Sequence, residues 1–181
     1  MRQIIIEKSI QKKSLIFKLD TALVFDYIMM YFMSWVLPFT SILVVISDHQ
    51  HNRAPSPVAY SIFTVIDIWL LLSLYFTNKL FVVSGNTLDE NKQVVTEVLE
   101  QMYPKFEFFS TGKSNLILFG KNVNSWNRGK LITVILNENK IYINKLSTYR
   151  GGGFSSINGL SNYIRSRNIA KNFTYNLSTD Y

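Results

Sequence analysis

Ala22 to Ser47 reads ALVFDYIMMYFMSWVLPFTSILVVIS and Val58 to Thr77 reads VAYSIFTVIDIWLLLSLYFT, with a polar loop from Asp48 to Pro57 between them. A bilayer core about 30 Å thick is crossed by ~20 apolar residues of helix, so either stretch is long enough to span. Each carries a single charged residue, Asp26 in the first and Asp67 in the second. The pattern predicts a two-helix transmembrane hairpin over residues 21–78, with spans at about 22–47 and 58–77.

Basic residues predict its orientation. Arg2, Lys8, Lys12, Lys13 and Lys18 precede the first span and Lys79 follows the second, whereas the loop offers only Arg53 beside Asp48. Positive charge stays on the cytoplasmic side during insertion. The expectation is a multi-pass protein of a bacterial inner membrane, both termini cytoplasmic and the loop facing outward. The first apolar stretch far exceeds a signal-peptide core and no small-residue cleavage site follows it, so it is expected to persist as an anchor.

The remaining composition is that of one small soluble domain at residues 79–171, preceded by a basic segment at 1–20 and followed by a polar tail at 172–181 expected to be loose. The 181 residues leave no room for a second globular domain. The chain has no cysteine, which excludes disulfides, thiolate nucleophiles and thiolate metal sites. Its net charge is +7.

Within the first twenty residues, Ile4 to Ile6 and Leu15 to Leu19 flank a polar run. Two short strands or an interfacial amphipathic helix fit, and the β-branched and aromatic clusters favour strands. Pro38 is expected to kink the first span, and Pro55 and Pro57 suit the start of the second. Trp35 and Trp69 lie well inside the spans rather than in an interfacial belt, so they are expected to face the partner helix or another subunit.

After the spans, Lys79 to Ser84 extends the second helix or starts a strand, and Ser84-Gly85-Asn86 breaks it. A helix follows with Thr87 or Asp89 as cap and Val94, Val95, Val98, Leu99 and Met102 on one face, ending at Pro104. Beyond it the apolar period falls to two at Phe106 and Phe108, and short β-rich runs follow at Leu116–Phe119, Leu131–Leu136 and Ile141–Ile143. Asn137 to Lys140 reads as a tight hairpin. A last helix is expected from about Ser155 to Ala170, with Ile157, Leu160 and Ile164 inward. The soluble order is thus α-β-β-β-β-α, an α+β fold with an antiparallel sheet and both helices on one face.

This arrangement, with Ser125, Trp126, Gly129 and Lys130 before Leu131-Ile132-Thr133-Val134, resembles that of uncharacterised small bacterial membrane proteins with a two-span anchor and an α+β cytoplasmic domain. The resemblance covers residues 88–170. It implies a fold and carries no activity.

Candidate chemistry is sparse. An ionisable side chain inside a bilayer is costly, by about 2.5 to 3.5 kcal/mol at its centre, so Asp26 and Asp67 are candidates for a proton or cation relay or for contact with a basic partner. The opposing reading is that Asp26 snorkels to the interface while Asp67 stays protonated. Asp48, His49 and His51 lack a scaffold for a metal, and none is expected.

Lys140, Lys145, Arg150, Arg165, Arg167 and Lys171 form a basic run with no acid between Glu138 and Asp180. Such a run meets anionic lipid headgroups or an acidic partner. It also fits a nucleotide or, less readily, a nucleic acid. Arg150-Gly151-Gly152-Gly153 before Ser155 resembles an anion cradle at a helix start, although it lacks the P-loop spacing and three consecutive glycines are more often a hinge.

With no cysteine and both histidines in the loop, no nucleophilic triad can assemble on the cytoplasmic side, and no cofactor motif appears. The expectation is a non-enzymatic accessory or regulatory membrane protein that binds a partner or ligand through its basic domain. Alternatives are a membrane-perturbing stress or defence effector gated by a nucleotide or protein signal, and an immunity-type protein against a membrane-acting toxin.

Overall fold

The computed structural model describes residues 3–51, 57–123, 129–148 and 155–179. The fold is α+β. Its helices are α1 (Ile6–Lys12), α2 (Thr21–Gln50), α3 (Pro57–Phe76), α4 (Leu88–Met102) and α5 (Gly159–Thr179). The strands are β1 (Phe81–Ser84), β2 (Glu107–Phe109), β3 (Leu116–Lys121), β4 (Gly129–Asn137) and β5 (Lys140–Thr148), all antiparallel in the order β1-β5-β4-β3-β2. Residues 81–84 therefore form an edge strand ahead of α4, so the soluble order gains a leading β.

Alternation along β3, β4 and β5 sorts the core into two layers. One face, with Phe119, Ile132, Val134, Leu136, Ile141 and Ile143, packs against α4 and α5. Thr87 caps α4 through a capping box with Glu90, which fixes where that helix starts. Both helices share this face, as the periodicity predicts.

The N-terminal segment covers the opposite face. Ile4, Leu15, Phe17 and Leu23 pack on Leu118, Leu131, Ile135 and Leu146. The expected strands are reduced to an isolated bridge between Ile4 and Phe17, and the polar run between them forms α1. Lys13 sits in the left-handed region (φ 47°) and turns the chain back. Ser9 closes the loop, donating to the Ile5 carbonyl at 2.8 Å and accepting from the Ile16 amide at 2.9 Å. The helix wins because its left-handed C-cap at Lys13 and this hydroxyl satisfy backbone groups that a bare hairpin of polar residues would leave to water.

At the other end, α5 continues to Thr179, past Asn172 where a loose tail was expected. Phe173 is fully buried and anchors that extension. The buried stripe of α5 is Asn162, Ser166, Ile169, Ala170 and Phe173, whereas Ile157 and Ile164 point outward. The predicted inward face is thus displaced, since the first turns of α5 pack on α3 and on Ser147 rather than on an apolar layer.

Candidate functional site

α2 and α3 are each long and apolar enough to cross a membrane. They run antiparallel, tied at one end by the Tyr60 hydroxyl donating to Asp48 (2.8 Å) and at the other by the Asn78 amide donating to Tyr27 (3.3 Å). Only 19% and 11% of their most apolar windows are buried within the protein. Phe32, Phe39, Ile62, Val65 and Ile68 are each more than half exposed. A helix in the core of a water-soluble protein would hide such side chains, so this surface calls for an apolar solvent or partner. α2 stays helical through Pro38. Pro57 is the first residue of α3, while Pro55 and Arg53 lie outside the described residues.

The polar residues of these helices separate. Asp26 adjoins Tyr27, level with the end of α3 and close to the sheet. Asp67 is half-buried midway along α3, and its Oδ1 is buried with no hydrogen-bond partner among the described residues. Trp35 and Trp69 are 54% and 43% exposed, so neither is enclosed between the helices. Trp69 Nε1 donates to the Ile157 carbonyl at 3.3 Å.

That contact belongs to a joint between the apolar helices and α5. Gly159 opens α5 so close to α3 that a Cβ there would collide with the Ser73 carbonyl and come within 2.6 Å of Thr77 Oγ1. Buried Ser34 of α2 shares a 2.8 Å hydrogen bond with buried Ser156, and the Leu160 amide donates to Ser73 Oγ at 3.4 Å. The Phe76 and Tyr163 rings stack 4.6 Å apart. From the sheet, Asn144 donates its side-chain amide to the carbonyls of Thr77 (3.2 Å) and Lys79 (2.7 Å), just beyond the end of α3.

Among the described residues the basic run does not form one patch. Lys140 is exposed at the β4–β5 hairpin, the far end of the strands from Ser147. Arg167 and Lys171 are exposed on α5; Lys171 rims a groove of about 380 Å³ with Phe81, Val83 and Tyr175. The Ser155 amide donates to the Ser147 carbonyl at 2.9 Å. Arg150, Gly151, Gly152 and Gly153 lie outside the described residues, as do Ser125 and Trp126.

Lys145 behaves unlike the others. It is 1% exposed on the helix-bearing face of β5. Its Nζ donates to the Tyr103 hydroxyl at 3.2 Å and lies 4.3 Å from the centre of the Tyr103 ring and 6.0 Å from that of Phe106. Burial, with the nearby charges of Arg165 and Lys130, lowers its pKa to about 7. Burial also raises the Tyr103 hydroxyl, against an opposing pull from Arg165. No carboxylate forms an ion pair with Lys130, Lys145 or Arg165 among the described residues.

Lys130 was readable as part of this group. In the register Lys130 pairs with Ser147 and Ile132 with Lys145, so period-two alternation puts both lysines on one face of adjacent strands. No group of three metal-capable side chains occurs among the described residues. Comparison with protein families, curated proteins and solved structures finds no match. Function therefore has to be argued from these residues alone.

Proposed function

We propose that this chain is a non-enzymatic protein of the bacterial inner membrane in which α2 and α3 span the bilayer, and that it acts as an accessory or regulatory subunit whose basic α+β domain binds a partner or ligand. The observation that carries the reading is the joint at Gly159. It fastens an outward-facing apolar helix pair to α5, a helix that also covers the sheet.

Topology supports it further. Ile4 and Phe17, before α2, share a core layer with Leu118 and Leu131, after α3, so both flanks of the helix pair lie on one side of any membrane it crosses. The excess of Lys and Arg on those flanks supports the cytoplasm as that side. Asp67, an ionisable residue left half-buried midway along α3, is the candidate contact for a basic or hydrogen-bonding membrane partner.

Because the chain lacks cysteine, single introduced thiols report topology cleanly. His49→Cys should react with a membrane-impermeant maleimide in intact cells and Lys121→Cys only after lysis, with the protein resisting alkaline carbonate extraction. Extraction into the supernatant, or labelling of residue 121 from outside, would overturn the placement. Stable co-purification of other membrane subunits tests the accessory role. The gated-effector reading rests on the cationic group around Lys145, and toxicity on overexpression that requires the spans would favour it.

A further inference from the structure

We propose that Lys145, Arg165 and Lys130 form a receptor for a phosphate-type anion on the helix-bearing face of the sheet. It deepens the reading of the basic domain as the ligand-binding part of the protein, and rests on it.

Three separate elements bring the positive groups together: β5 supplies Lys145, β4 Lys130 and α5 Arg165. The lysine amine is sealed beneath Tyr103 and Phe106, while Lys130 and Arg165 stand exposed at the rim. An ammonium has three donors, and only the Tyr103 oxygen accepts from this one among the described residues. Buried cations in proteins are ordinarily compensated by a carboxylate or another anion. Here the neighbouring charges repel.

An anion held at the rim by the planar guanidinium and the Lys130 amine would reverse that sign for the buried amine beneath it. A phosphate group carries close to two negative charges and three strong acceptor oxygens, which suits a cluster of cations from three elements better than a single carboxylate does. The lowered pKa of Lys145 agrees with this, since such a group gains a proton when an anion arrives.

The position also has mechanical meaning. Arg165 lies on the same helix as Gly159, whose backbone rests on α3, so occupancy of the rim is felt by a helix already fastened to the apolar pair. The phosphate could belong to a soluble nucleotide or to a lipid headgroup.

Full-length protein in maltoside micelles, titrated with inorganic pyrophosphate, tests the soluble source. The same protein in nanodiscs of phosphatidylcholine, alone or mixed equally with phosphatidic acid, tests the lipid source. Thermal unfolding is read in each. A midpoint raised by pyrophosphate, or by phosphatidic acid alone, supports the proposal and names the source, provided Arg165→Gln and Lys145→Met each weaken the response about tenfold and Lys92→Gln on α4 does not. Responses of equal size in the wild type and both variants, or no response to either anion, would overturn it. Carbonate extraction of the same variants is expected to be unchanged, so loss of the anion site is distinguishable from loss of the membrane placement.

Discussion

Ser34, fourteen residues into the first apolar helix, and Ser156, just before the last helix, meet through a buried hydrogen bond of 2.8 Å. Small polar residues let helices approach closely, and Ser73 and Gly159 complete the same contact. The domain is therefore held to the helix pair by close backbone approach together with the Phe76–Tyr163 and Trp69–Ile157 contacts.

Gly159→Val should break this joint. The added side chain would have to displace the Ser73 carbonyl, which belongs to helical backbone and cannot yield, so a loss of about 1 to 3 kcal/mol is expected. Thermal unfolding in micelles measures it, and proteolysis between the helix pair and the sheet should quicken. Unchanged stability would mean that α5 is not seated on α3.

Lys145 predicts a pH dependence with a definite sign. Its folded pKa of about 7 lies below its ordinary value of 10.5, so between those values the unfolded chain binds more protons and stability rises with pH. Below about 7 both states are protonated and the cost of the buried charge is constant. Lys145→Met should flatten the slope of the unfolding midpoint across this window. Arg165→Gln removes one repelling charge and should shift the rise to higher pH.

Phe173→Ala should cost about 3 to 5 kcal/mol, the usual loss for emptying a fully buried aromatic site. Truncation after Lys171 should be at least as damaging. Chemical denaturation of the two variants checks both, and a wild-type midpoint in the truncation would restore the view of a loose tail.

Asp67→Asn keeps the shape of the side chain and removes its capacity for charge. If the carboxyl meets a membrane partner, co-purification of that partner should weaken while insertion is unaffected. Equal recovery of the partner would exclude Asp67 from the contact.

Much of the architecture was legible because it is written in periodicity. The two apolar stretches, the α4 stripe capped at Thr87 and the Asn137–Lys140 hairpin all appear where local pattern places them. The displaced face of α5 was not legible, since its inner positions Asn162 and Ser166 are polar and become buried only through Ser147 and the close approach to α3. Lys145 was hidden for a similar reason. A basic residue in a basic run looks solvated, and only the strand register and the returning α4–β2 corner with Tyr103 and Phe106 reveal that it is enclosed.

The sheet layer shared by Ile4, Phe17, Leu131 and Leu146 also dictates a schedule for biogenesis. The opening segment leaves the ribosome first, yet the strands it must cover are made more than a hundred residues later, after both hydrophobic helices have passed. At translation rates of about 5 to 20 residues per second, that leaves the apolar side chains of this segment uncovered for roughly 6 to 26 seconds. Nascent chains of this protein should therefore be conspicuous clients of holdase chaperones until β5 emerges.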